Sequence, residues 1–183
     1  CGTKRKEMAE QRKYTRTTKS AVKSKPVDEY GHLQPQAIDF EEAVLGALMI
    51  EKDAYSIVSE ILRPESFYDH KHQLLYKAIT TLAMRQQPID ILTVAEQLRS
   101  TGELEEAGGP FYITQLSGKV ASSAHIEYHA RIIAQKFLAR ELITFTSNIQ
   151  TKAFDATQDV DDLMQEAEGK LFEISQKNMK KDY

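Results

Sequence analysis

Hydrophobic positions along this chain are unevenly spread: residues 1–27 hold almost none, and order is expected to begin near Leu33–Ile38. From there apolar residues recur every three or four positions, the period of a helix with one buried face. In AIDFEEAVLGALMI, Val44, Leu45, Leu48 and Met49 share a face. Asp39 is placed as its N-cap, with Glu42 three residues on in a capping-box arrangement. DAYSIVSEIL predicts a second, short helix that starts near Asp53, buries Ile57, Val58, Ile61 and Leu62, and is ended by Pro64. SFYDHKHQLLYKAITTLAMRQQ gives a third, with a stripe of Leu74, Leu75, Ala78, Ile79 and Leu82, blocked by Pro88. PIDILTVAEQLRSTG is the fourth, capped by Asp90 and stopped by Gly102. Its β-branched Ile89, Ile91, Thr93 and Val94 also allow a short strand, but Leu92, Ala95 and Leu98 are spaced for a helix.

The last third of the chain has a different pattern. Ser123 to about Ala153 contains no Pro or Gly, enough for a rod of about 45 Å at 1.5 Å per residue. Its seam runs Ile126, Ala130, Ile133, Phe137, then shifts by one to Leu138, Leu142, Phe145 and Ile149. After FDATQD a final helix places Val160, Met164, Ala167, Leu171 and Ile174 at alternating spacings of four and three. The fold class is therefore all-α: a compact multi-helix globular head (34–121) followed by a long antiparallel helical hairpin (122–177). Narrow seams bury little alone, so the hairpin must pack on the head or on another copy. A second copy is favoured, because the head already has a core and a rod of that length would overhang it. Ile126, Ala130, Ile133, Phe137, Leu163, Met164 and Leu171 are the expected oligomer interface.

Composition supports a globular class, with 41% hydrophobic and 28% charged residues. No apolar run approaches the ~18 residues of a membrane span, and no secretory leader is evident. The lone Cys1 suits a reducing cytoplasmic compartment. Charge changes the picture more. Residues 1–27 carry nine Lys or Arg against two Glu, while the remainder is net acidic. The basic segment (1–33) reads as a disordered, solubilising arm, with phosphate-backbone contact as its functional rival. Residues 1–7, ahead of Met8, read as an expression remnant or as the cut end of a longer chain. The acidic body argues against gripping DNA by charge.

GGPFYITQLSGKV, residues 108–120, has the vocabulary of a phosphate-binding P-loop. That loop needs Gly, four residues, Gly-Lys and then Ser or Thr. Here eight residues separate Gly109 from Gly118, Val120 follows Lys119, and no strand precedes. The glycines instead end one helical turn, and Pro110 opens the next at its favoured first position. His125 and His129 lie four apart, but without the Glu of the metalloprotease pattern or a third ligand. His70 and His72, beside Asp69, read as a solvated first turn. No motif organises a nucleophile, and the carboxylates Glu103, Glu105, Glu106, Asp161 and Asp162 sit at exposed helix starts. No catalytic, cofactor or metal site is expected.

Taken in order, QPQAIDFEEAVLGALM, ILRPESFY, PIDILTVAEQL, ELEEAGGPFYITQLS and ASSAHIEYHARIIAQKFLARELI resemble the N-terminal domain of bacterial replicative DNA helicases, the DnaB family. The resemblance covers residues 34–175. It implies a non-catalytic collar on a hexameric ring, arranged as a trimer of dimers, whose hairpins pair between subunits. Primase and a helicase loader are the implied partners, and DNA is contacted through the parent ring in 5′-to-3′ unwinding. ATP and Mg²⁺ would belong to a RecA-like domain, to which residues 178–183 begin the linker. The family pattern does not explain residues 1–33. A primase-type helicase-interaction domain, an enzyme with a cryptic metal or nucleotide site, and a nucleic-acid-binding module acting through the arm are the rival readings.

Overall fold

In a computed structural model, residues 31–119 and 123–179 are described. The chain divides into two units, Cys1–Gln34 and Pro35–Tyr183. The basic arm and residues 1–7 lie outside the described residues, apart from 31–33. The larger unit is all-α. Its helices are α1 (Ile38–Ile50), α2 (Ala54–Val58), α3 (His70–Met84), α4 (Ile91–Thr101), α5 (Gly109–Gly118), α6 (Ile126–Phe154) and α7 (Val160–Met179). Short 3-10 turns at Pro64–Ser66 and Ser123–His125 precede α3 and α6.

Local chemistry sets several of these limits. Asp69 caps α3 by accepting the Lys71 N–H at 2.9 Å. At α4, Asp90 accepts from the Thr93 N–H while the Thr93 hydroxyl accepts from the Asp90 N–H, a reciprocal box. Gly102 ends α4 in the left-handed region, φ 74°. The cap expected at Asp39 does not form. Helix α1 begins two residues earlier, Ala37 holds the cap position without a side-chain bond, and Asp39 sits in the first turn. Glu42, its expected box partner, is taken by Tyr112 and Lys119 instead.

The α1 stripe Val44, Leu45, Leu48 and Met49 shares one core with Leu75 and Ile79 of α3, Val94 and Leu98 of α4, and Ile113 and Leu116 of α5. Two expected core positions lie at the surface. Leu92 is 80% exposed, because the buried face of α4 is Ile91, Val94, Ala95 and Leu98, one position out of phase with it. Ile57 is also exposed, as the inward face of the second segment runs Ala54, Val58, Ile61.

The rod does not leave the head where it starts. Ile126, Ala130 and Ile133 are closed to solvent within the head core. Full burial of an Ile is worth about 1.5–3 kcal/mol, so the first two turns of α6 are firmly held. The head core is thus completed by the rod rather than being closed before it. From Phe137 onward the helix pairs with α7, and Arg140 still bonds to the head.

Candidate interaction surface

Among the described residues of the head, three polar side chains are buried: Glu41, Ser66 and His72. His72 lies on the inward face of α3, three residues before Leu75, and is fully closed to solvent rather than solvated as its sequence neighbours suggest. Its Nδ1 is 2.8 Å from Glu41 Oε1, and its Nε2 is 2.6 Å from the Tyr112 hydroxyl. Glu41 also accepts the Tyr68 N–H at 2.9 Å and the Asp69 N–H at 3.4 Å, unpaired donors ahead of α3. The His72 and Tyr112 rings stack, with 6.1 Å between centroids. Burial, then the nearby Glu42 and Asp69 carboxylates, pushes the Tyr112 pKa up. These contacts join α1, α3 and α5. Each group's bonding capacity is used within the head, which fits a structural lock.

The stretch 108–119 is part of that lock. Gly108 and Gly109 have φ of 104° and 79°, and Pro110 follows at the start of α5. A Cβ on Gly108 would lie 2.5 Å from the Tyr112 ring. Lys119 is ion-paired to Glu42. Among the described residues no group of three His, Cys, Asp or Glu is placed to hold a metal. His129 instead packs edge-on against the Phe40 ring, 5.2 Å between centroids. No described helix is long and apolar enough to cross a membrane.

A second polar cluster marks the root of the hairpin. Arg140 donates from one guanidinium nitrogen to the Pro35 carbonyl at 2.7 Å and from the other to the Ser66 carbonyl at 3.0 Å. The group lies 5.3 Å from the Tyr68 ring centre and 5.7 Å from that of Phe137. Burial lowers the Arg140 pKa, and Glu41 and Tyr68 oppose the shift.

The hairpin beyond this root buries Leu163 and Ile174 of α7. Lys152 pairs with Glu166 across it. In the connecting loop, Asp155 accepts from the Thr157 N–H and hydroxyl, which hold its carboxyl below the ordinary range. Asp159 accepts from the N–H groups of Asp161 and Asp162 and so caps α7. Two open grooves flank the helix pair. One is almost wholly apolar, lined by Phe145 and Ile149 of α6 and Met164, Ala167 and Leu171 of α7. The other is mixed, running past Phe137, Arg140, Glu141, Lys170 and Ile174.

The seven expected interface residues therefore separate. Ile126, Ala130 and Ile133 are spent inside this chain, and are not available to a partner while the head is folded. Leu163 is buried, and Phe137 is partly buried against Arg140. Met164 and Leu171 are 57% and 50% exposed. Phe172, Leu142, Ile143 and Phe154 are exposed as well and were not among the seven. The signal for Phe172 was its place beside Leu171, which widens the apolar face of α7 beyond a single seam.

What the geometry defines is an all-α head carrying a partly unburied helical hairpin. The chain belongs to the DnaB-like helicase N terminal domain family, whose profile matches residues 33–135. It is 44% identical over 151 residues to the replicative DNA helicase DnaB of Rhodothermus marinus, and 39% over 145 to the replicative DNA helicase DnaC of Bacillus subtilis strain 168. Those alignments cover 82% and 79% of this chain but only 16% and 32% of the two relatives. The crystal structure of the N-terminal domain of DnaB helicase from Mycobacterium tuberculosis matches with a TM-score of 0.72 and 34% identity, covering 76% of this chain and 98% of that one. The structure of a DnaB-like replicative helicase, described together with that helicase's interactions with primase, matches with a TM-score of 0.62 and 27% identity, over 75% of this chain and 31% of its own.

Proposed function

We propose that this chain is the collar domain of an ATP-dependent replicative DNA helicase, serving ring assembly and partner docking, and is itself non-catalytic. The observation that carries the reading is the hairpin face. Met164, Leu171 and Phe172 stand open along one helix, α7, and the first two line an apolar groove with Phe145 and Ile149, whereas the open Met84, Leu92 and Phe111 of the head lie on three different helices. Burying one such side chain is worth about 1.5–3 kcal/mol, so a few together can drive association of two copies. Pairing of hairpins, with three such dimers in a hexamer, uses that face. Primase or a helicase loader would dock on the assembled collar. ATP and Mg²⁺ would be held by a RecA-like domain of the parent protein, reached through a linker after α7, which runs to Met179 rather than ending at 177 as the sequence suggested, and DNA would be contacted through its ring. Cytoplasmic location follows from that role.

The test is solution mass by light scattering across a range of protein concentrations, alongside an ATPase assay and capture by the C-terminal domain of the cognate primase. A dimer or hexamer, no hydrolysis and retention of the primase domain are the expected results. A monomer at every concentration overturns the assembly role, and hydrolysis by the purified chain overturns the non-catalytic one.

A further inference from the structure

Helix α6 serves two bodies. Its first two turns lie in the head core through Ile126, Ala130 and Ile133, and from Phe137 to Phe154, about five turns at 3.6 residues each, it forms the hairpin with α7. A continuous helix anchored only at one end can tilt and bend along its free length. At 1.5 Å per residue, the arm from Ile133 to Phe154 is about 31 Å, and the arm from Arg140 to Phe154 is about 21 Å. Whatever holds α6 at Arg140 therefore removes about a third of the lever.

The chemistry at Arg140 is specific for that task. Its two terminal nitrogens each serve one carbonyl, at 2.7 and 3.0 Å. The carbonyls belong to separate parts of the head: Pro35 ahead of α1 and Ser66 at the end of the 3-10 turn. The guanidinium plane also lies within cation–π range of Tyr68 from the head and Phe137 from α6 itself. The Tyr68 backbone is in turn fixed by Glu41, whose carboxylate accepts its N–H. The clamp thus stands on the buried Glu41–His72 lock rather than on a loose surface strand. Ser66 is itself 2% exposed, and its hydroxyl accepts the Arg63 N–H at 3.0 Å. The end of α7 returns to the same spot, with Lys177 and Asn178 lining a small cleft shared with Arg63, Ser66 and Phe137.

We propose that Arg140 is the positioning residue that fixes the angle between the hairpin and the head, and with it the geometry in which copies assemble. The assembly consequence rests on the hairpin-pairing reading above; the angle itself does not. Lysine is not an equivalent, since a single ammonium is a point charge without the planar fork that serves two carbonyls and two rings.

The experiment measures the angle directly. Cys1→Ser, Glu60→Cys and Gln158→Cys place one spin label on the exposed side of the head and one in the loop between α6 and α7. The distance distribution is then read by electron spin resonance, with excess unlabelled chain to isolate distances within one copy. A narrow distribution is expected for the otherwise native protein. Arg140→Met and Arg140→Lys should both broaden it by about half, the ratio of the two arm lengths at 1.5 Å per residue. Circular dichroism should show helix content retained. A distribution as narrow as the parent's in helical Arg140→Lys overturns the proposal, and so does a lowered melting temperature without broadening. Solution mass is recorded in parallel: an assembling parent should give way to mixed masses in the variants. A parent that never assembles defeats the pairing reading alone, while unaltered widths in a normal oligomer defeat the clamp alone.

Discussion

His72 Nδ1 lies 2.8 Å from Glu41 Oε1, with both side chains closed to solvent. The pair ties the first turn of α1 to the first turn of α3, and Tyr112 extends it to α5. Hydrogen bonds to a buried charge are worth about 1.5–3 kcal/mol. His72→Phe should therefore lower stability in urea by about that amount. Glu41→Ala should cost more, because it also strands the Tyr68 and Asp69 N–H groups. The reverse order of the two midpoints would count against this account of the lock.

Alkaline pH should weaken the fold through tyrosine. Tyr76, 1% exposed, donates to the Leu62 carbonyl at 3.0 Å, and burial raises its pKa above the ordinary 10.0. Tyr112 is raised by burial and by Glu42. A folded-state pKa above the unfolded one means stability is complete below pH 10 and declines as pH rises beyond it. Urea midpoints measured on both sides of that pH should fall on the alkaline side, with a smaller fall in Tyr112→Phe. An identical decline in the variant would show that Tyr112 is not a source.

Much of the fold was legible because burial on a helix repeats with the turn. The stripes of α1 and α3, the Asp90 cap and the Gly102 stop stand where periodicity and cap chemistry put them. So does the helix that replaces a P-loop at Gly109–Gly118. What sequence could not supply was partners far along the chain. His72 looks solvated beside Asp69, yet Glu41 lies 31 residues before it and Tyr112 40 after. Its phase with Leu75 and Ile79 was the available sign of burial. The seam of α6 was correctly in phase too, but phase reports that a face is covered, never by what. Ile126, Ala130 and Ile133 are covered by the head of the same chain.

Gly108 and Gly102 both have positive φ, but only one is crowded. A Cβ at Gly102 meets nothing within 4 Å, whereas at Gly108 it would sit 2.5 Å from the Tyr112 ring. Gly102→Ala should cost about 1–2 kcal/mol, the left-handed penalty alone. Gly108→Ala adds overpacking of about 1–3 kcal/mol and pushes Tyr112 off His72. Thermal melts of the two variants give the comparison. Equal losses would mean that Tyr112 is free to move, and that the stack on His72 contributes little.

The hairpin face gives the last prediction, and its design depends on where each seam residue lies. Ile133→Asp buries a charge in the head, so any loss of assembly there would follow from unfolding. Phe137→Asp is also ambiguous, because its ring flanks Arg140 and a carboxylate there would compete with the Pro35 and Ser66 carbonyls. Met164 and Leu171 are free of both objections, being at least half exposed on α7 and lining the apolar groove with Phe145 and Ile149. Met164→Asp with Leu171→Asp should leave the melting temperature of the isolated chain nearly unchanged at low concentration. It should weaken self-association by at least about 10-fold, since each side chain, already about half covered, has about half of its 1.5–3 kcal/mol of burial left to gain from a partner. Sedimentation equilibrium of the double variant against the parent measures the ratio. A well-folded double variant that assembles as tightly as the parent would move the interface off this groove, to the mixed face past Lys170 and Glu141.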